Sequence, residues 1–284
     1  MKNDSQIKDL VKEKYASIAG QTQQQNASSC CGATACCGDD VYNIMSEDYS
    51  KFEGYNAEAD LGLGCGLPTE SAKIKEGDTL VDLGSGAGND CFIARRLVGD
   101  TGKVIGIDFT EAMIQRARIN ADKLGFTNIE FRQGDIEDMP VVSDKADVVV
   151  SNCVLNLVPN KHKVFSEVFR ILKPGGHFSI SDIVLKGELP VKWKEIAELY
   201  AGCISGAIQE NDYLAIIEKA GFANITLQKS KPINIPRKIL ANYLDEMEIN
   251  AYNSSETKIT SITVYAEKPA KDDRNCCEPG SPCC

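Results

Sequence analysis

Three cysteines stand singly among small residues: Cys65 in Gly64-Cys65-Gly66, Cys153 at the end of the apolar run 146–153, and Cys203 in Gly202-Cys203-Ile204-Ser205-Gly206-Ala207. A cysteine between two glycines has little neighbouring side chain to bury it. Cys65 therefore reads as a functional thiol, a soft-ion ligand or nucleophile, before a small core hydrophobe. Downstream of it runs Asp82-Leu83-Gly84-Ser85-Gly86-Ala87-Gly88-Asn89-Asp90, whose three glycines let a backbone turn sharply and approach a ligand closely. About twenty residues later an apolar run, Val104-Ile105-Gly106-Ile107, ends in Asp108, the usual position for a carboxylate that accepts both ribose hydroxyls of a nucleoside.

These residues need a frame. Leu80, Val81 and Leu83 make a buried strand that breaks into the glycine turn, and the helical spacing from Asp90 to Leu97 points free N–H groups into that turn. A helix follows over 110–124 with Thr110 as N-cap, then a third strand over 129–133 closed by Gly134-Asp135-Ile136-Glu137. The run 146–153 is a fourth strand, so Cys153 falls at a strand's carboxyl end, where open α/β sheets bind ligands. A helix over 161–172 stops at Lys173-Pro174-Gly175-Gly176, before a strand over 177–182. This alternation predicts an α/β, doubly wound, Rossmann-like sheet. Beyond it the rhythm changes. Helices near 190–202, 210–220 and 236–248 are expected to form a lid containing Cys203, and strands near 224–230 and 259–267 an antiparallel edge pair.

The ends of the chain differ from its middle. Ile7, Leu10, Val11, Tyr15 and Ile18 share one helical face, which predicts an amphipathic helix over about 4–19. A polar loop leads to Cys30-Cys31 and Cys36-Cys37, adjacent pairs that suit soft-ion or redox chemistry better than the C-x₂-C knuckle of zinc; a cysteine-rich loop without function is the alternative. The tail over 271–284 is polar and carries two further pairs. The organisation read from this is an N-terminal helix and cysteine-rich loop over 1–60, a nucleoside-binding unit over 61–185, a lid with edge strands over 186–270, and a flexible tail over 271–284.

A net charge of −10 without a dense basic block argues against nucleic acid and anionic membranes as partners. Charges run through the first twenty residues, and no apolar stretch approaches the length of a membrane span, so a cytoplasmic protein is expected. Twelve cysteines in a reducing compartment then point to metal or thiol chemistry before structural disulfides.

The third glycine of the turn comes one residue earlier than in G-x-G-x-x-G, which favours a nucleoside without a pyrophosphate. With Asp82 ahead of it and Asp108 closing the second strand, the pattern resembles the S-adenosylmethionine-dependent methyltransferases. The contexts of the three cysteines, above all Ser151-Asn152-Cys153-Val154-Leu155-Asn156-Leu157-Val158-Pro159, are similar to the arsenite methyltransferases of that superfamily over about residues 40–230. The resemblance implies a seven-stranded sheet. It implies S-adenosyl-L-methionine contacts from Asp82, Gly84, Ser85, Gly86, Gly88, Asp108, Met113, Asp135, Ile136 and Asn152. It also implies that Cys65, Cys153 and Cys203 hold arsenic(III), delivered as arsenite or an arsenic–thiol adduct, and that a thiol reductant such as thioredoxin or glutathione serves the reaction, in arsenic detoxification. Several family members place tyrosines where this chain has Leu61-Gly62-Leu63.

The residues agree with that chemistry on their own terms. Trivalent arsenic is soft, takes three thiolates and keeps a lone pair, so methyl transfer to it requires no general base, and the chain has only two histidines. The competing readings are a methyltransferase acting on a carbon or oxygen of a small metabolite, with incidental cysteines, and a thiol-rich metal-sequestering protein that only binds nucleoside.

Overall fold

The computed structural model describes residues 4–21, 45, 47–189, 204, 206–241 and 244–270. The sequence expectations for the cysteine pairs at 30–37, the helix near 190–202, Cys203 itself and the tail lie outside these residues.

Seven strands form one sheet: β1 (Thr79–Leu83), β2 (Lys103–Asp108), β3 (Ile129–Gln133), β4 (Ala146–Asn152), β5 (Leu172–Lys186), β6 (Ala223–Ile233) and β7 (Lys258–Glu267), in the order β3-β2-β1-β4-β5-β7-β6. The first five pair in parallel, while β7 runs antiparallel to both β5 and β6. The antiparallel pair thus joins the sheet through β7, and β6 forms its outer edge. The strand order reverses between β1 and β4, and ligands of such sheets bind outside the carboxyl ends at that point.

The core strands are apolar on both faces because both faces are covered. In β1, Val81 and Leu83 join the cluster formed with Phe165, Phe178 and Tyr213, whereas Leu80 joins the opposite one with Phe92, Met113 and Phe131. Each such fully buried aliphatic side chain contributes roughly 1.5–3 kcal/mol to the fold.

The helices are α1 (Asp4–Ile18), α2 (Pro68–Ser71), α3 (Asn89–Val98), α4 (Glu111–Leu124), α5 (Lys161–Ile171), α6 (Glu210–Lys219), α7 (Arg237–Leu240) and α8 (Glu246–Asn253) among the described residues. The expected helix over 236–248 is two helices, because Asp245 and Glu248 form a reciprocal capping box that starts a new one at Glu246. Thr110 occupies the N-cap position of α4, yet its hydroxyl makes no cap bond; its N–H donates to Asp108 instead. The Lys173-Pro174-Gly175-Gly176 stop is an irregular start to β5. Gly175 adopts φ 81° and its N–H donates to the Lys268 carbonyl, so the turn is absorbed into the pairing with the end of β7.

Candidate active site

The turn after β1 is held from β2. The N–H groups of Gly84 and Ser85 donate to the Ile107 carbonyl at 2.8 and 2.9 Å, and Asp108 accepts from the N–H of Gly86 at 3.0 Å and of Thr110 at 2.8 Å. Gly84, Gly86 and Gly88 all have positive φ, but they serve different needs. A Cβ at Gly84 would strike Val154, and one at Gly88 would strike Phe92 and Phe131, whereas one at Gly86 would meet nothing within 4 Å. Gly86 therefore borders open space, and Gly88 packs into the core.

That space is a cleft of about 1090 Å³, including its open mouth. Of the residues singled out from the sequence, Asp82, Gly84, Ser85, Gly86, Asp108, Met113, Asp135, Ile136, Asn152 and Cys153 line it; Gly88 and Cys65 do not. Ser85 and Asn89 line the cleft, and their Oγ and Oδ1 atoms are buried without a hydrogen-bond partner within the protein.

Asp60, Asp82, Asp90 and Asp108 place carboxyl groups on the cleft wall, and burial shifts the last three. Burial raises Asp108, opposed by the N–H groups of Thr110 and Gly86. Burial and then the charge of Asp90 push Asp82 well above the ordinary carboxylate range, although the Cys91 thiol donates to it at 3.2 Å. Asp90 is pushed up to about 6 by burial, against hydrogen bonds from Tyr49, Asn152 and Thr69 that favour its ionised form. A cation in the cleft would offset these desolvation costs.

Cys65 and Cys153 belong to one buried cluster, together with Val11 of α1, Leu157, Ile183, Ile204 and Ala207. Cys65 is 1% exposed, which corrects the expectation that its glycine neighbours leave it uncovered. The glycines do the opposite. A Cβ at Gly64 would lie 2.6 Å from the Asn152 amide nitrogen and one at Gly66 2.5 Å from Ser181 Oγ, so their absence lets the loop sink onto β4 and β5. Cys153 follows β4 with φ 60°, a left-handed conformation rare for a residue with a side chain, and its N–H donates to the Ser181 carbonyl at 2.8 Å. Its side chain is set by that local turn and not by the alternation of the strand. Ile204, the residue after Cys203, is fully buried in the same cluster.

Residues 74–221 match the methyltransferase domain family. The chain is 36% identical over 288 residues to the arsenite methyltransferase of Halobacterium salinarum, covering 96% of this chain and 69% of that protein. This chain belongs to the arsenite methyltransferase family. It is 38% identical over 192 residues to the arsenite methyltransferase of Mus musculus, covering 64% of this chain and 50% of that protein, so it spans about half the length of that family member. The crystal structure of an arsenic(III) S-adenosylmethionine methyltransferase from Chlamydomonas reinhardtii superposes with a TM-score of 0.62 at 34% identity, covering 72% of this chain and 68% of that one.

In this arsenite methyltransferase family member several cleft residues were not foreseen. Lys8 and Tyr15 reach the cleft from α1, and Tyr49 and Asp90 line it as well. Asp90 carried a signal, since it stands at the start of a helix after the glycine turn. Lys8 carried none: its partners Asp135 and Glu137 lie 127 and 129 residues away. Tyr49 is buried and hydrogen-bonds Asp90, so a tyrosine from outside the Leu61-Gly62-Leu63 segment reaches the cleft wall.

Proposed function

We propose that the chain methylates trivalent arsenic, taking the methyl group from S-adenosylmethionine and holding the metalloid on the thiolates of Cys65, Cys153 and Cys203. The observation that carries this reading is the joint burial of Cys65 and Cys153 in one cluster, with Cys153 on the cleft wall and the residue after Cys203 in the same cluster. Two sequence-distant cysteines thus share one buried cluster that borders a cleft of nucleoside size, and this supports the reading.

The cleft fits the donor. Asp82 and Asp90 are buried carboxyls whose ionised forms a bound ammonium or sulfonium would favour, and Asp108 stands where ribose hydroxyls would be accepted. Gly86 leaves open space in the turn, where a side chain would meet no protein atom. Met113, Asp135 and Ile136 are assigned to the adenine side. When bound, S-adenosylmethionine supplies an electrophilic methyl group.

The protein's own part is to hold the acceptor. Each thiol that exchanges onto arsenite forms an As–S bond and breaks an As–O bond, its proton leaving with the hydroxide as water; exchange with an arsenic–thiol adduct releases the other thiol. No proton accumulates, and neither histidine lines the cleft. Thiolates suit the soft centre, and burial excludes water from it. Methyl transfer to the lone pair leaves arsenic two electrons more oxidised; oxidation of two thiols to a disulfide would return it to the trivalent state, and thioredoxin or glutathione is assigned to reduce that disulfide, with detoxification of arsenic as the role.

Incubation with labelled S-adenosylmethionine, a thiol reductant and arsenite or antimonite, followed by speciation, tests the reading. Methylated metalloid is expected. Binding of the donor with label appearing only on a carbon or oxygen of a small metabolite would overturn it, as would binding with no turnover on any thiophilic substrate.

A further inference from the structure

The side chain of Asn152 touches both halves of the site. Its oxygen accepts from the N–H of Cys65 at 2.9 Å and of Gly66 at 3.2 Å. Its nitrogen donates to the Gly66 carbonyl at 2.8 Å, to the hydroxyl of Tyr49 and, more distantly, to Asp90 at 3.4 Å. Tyr49 closes the ring: its single hydroxyl proton is donated to Asp90 at 3.0 Å, with the Gly66 carbonyl 3.1 Å from the same oxygen. Only a glycine at position 64 leaves space for this amide, and Asn152 itself lines the cleft. The carboxamide thus takes the place of a neighbouring strand for the Cys65 loop, satisfying two N–H groups that would otherwise be buried unpaired and donating to the Gly66 carbonyl, which the Tyr49 hydroxyl also reaches.

We propose that Asn152 is a positioning residue that couples the two halves of the site, latching the Cys65 loop against the cleft so that occupancy of the cleft and placement of the Cys65 thiol are linked. A cationic ligand drawn to Asp90 fixes that carboxylate, which fixes Tyr49 and the Asn152 amide, which in turn fix the loop. By thermodynamic reciprocity, whatever engages Cys65 must strengthen binding in the cleft by the same factor. For its consequence in methyl transfer the proposal rests on Cys65 being an arsenic ligand. Its test does not.

Because Cys65 is 1% exposed, its alkylation reports opening of the loop. Iodoacetamide labelling of the full-length protein is followed at the Cys65 peptide by mass spectrometry, with and without S-adenosylhomocysteine, whose affinity is measured separately by calorimetry. In the unmodified protein the ligand is expected to slow labelling of Cys65. In Asn152→Ala, labelling without ligand is expected to rise about tenfold, the shift from loss of an ordinary hydrogen bond, and the ligand at saturation no longer slows it. Asn152→Asp keeps the acceptor for both N–H groups but loses the donor, so slow labelling persists without ligand while the response to ligand disappears. Tyr49→Phe, which leaves the contacts between Asn152 and the loop intact, is expected to weaken the response to ligand and serves if the Asn152 variants do not fold. Equal labelling rates and equal ligand protection across unmodified protein and folded variants would overturn the proposal. No arsenic enters this experiment, so its failure leaves the methyl acceptor to be decided by product speciation, and the reverse also holds.

Discussion

Lys8, near the start of the chain, places its ammonium 2.6 Å from a carboxylate oxygen of Asp135 and also pairs with Glu137, so the first helix is pinned to the segment after β3 at the cleft. Burial of Lys8 disfavours its charge, but the hydrogen bonds to both carboxylates outweigh it and raise its pKa. With the side chains of Lys8 and Asp135 30% and 40% exposed, the pair adds at most about 1 kcal/mol to stability. Its larger effect is to hold α1, whose Tyr15 also lines the cleft. Lys8→Met is therefore expected to leave the melting temperature within a few degrees of the parent and to accelerate release of S-adenosylhomocysteine several-fold in stopped-flow measurements. An unchanged release rate would show that α1 does not govern access.

Gly86 and Gly88 are separated by one residue and should fail differently. Gly86→Ala meets no protein atom, so it costs only the strain of a side chain at φ 52°, about 1–2 kcal/mol, while the new methyl group occupies ligand space and donor binding is lost. Gly88→Ala pays similar strain at φ 99° and also drives a Cβ to within 2.8 Å of Phe92 and 2.9 Å of Phe131. Its main result is a larger loss of stability. Denaturant midpoints and calorimetry on both variants separate the two; a Gly86→Ala protein with parental donor affinity would refute the place assigned to that residue.

Asp90 makes donor binding depend on pH. A cationic donor favours the ionised carboxylate, so binding lowers a pKa that burial holds at about 6 and releases protons. Affinity is expected to rise as pH increases toward 6, by at most about tenfold per unit for one group, and to level off above it. The unliganded protein shows the opposite sign. Its carboxyl binds protons more tightly than in the unfolded chain, so this contribution to stability falls as pH rises from the unfolded value through about 6. The groups facing Asp90 are Tyr49, Thr69, Asn152, Asp82 and Asp60. Asp90→Asn should weaken binding and flatten this part of the profile; a profile that keeps its slope points to Asp82 instead.

The thiols are expected to divide their work. Arsenite offers three exchangeable positions and its methylated product two. Cys153 is fixed on the sheet by its backbone bond to β5, whereas Cys65 sits on a loop held by side-chain contacts. Cys65→Ser should abolish turnover of arsenite but preserve a substantial rate on methylarsenite, and Cys153→Ser or Cys203→Ser should lose both, since a hydroxyl is a poor ligand for a soft centre. Rates on the two substrates, after donor binding is verified, check this. Equal loss for Cys65→Ser would assign that thiol a shared structural or redox role.

The sequence by itself determined what depends on local pattern. The apolar runs of β1, β2 and β4, the glycine turn and the acid closing β2 are each contiguous, so period and residue type announce them, and the cysteine contexts carry the family. Only the tertiary structure decided what those segments meet. It made Gly86 a border of the cleft and Gly88 a packing contact, although both are glycines with positive φ in one turn, because Phe92 and Phe131 approach one and not the other. It inserted β7 between β5 and β6, a choice of partner that alternation along a strand leaves open. It buried Cys65, whose flanking glycines looked like exposure, because the Asn152 amide and Ser181 fill the space that side chains would have taken. And it carried Lys8 to Asp135 and Tyr49 to Asp90, contacts between side chains far apart in the chain that no spacing encodes, since they exist only after the sheet has closed the distance between them.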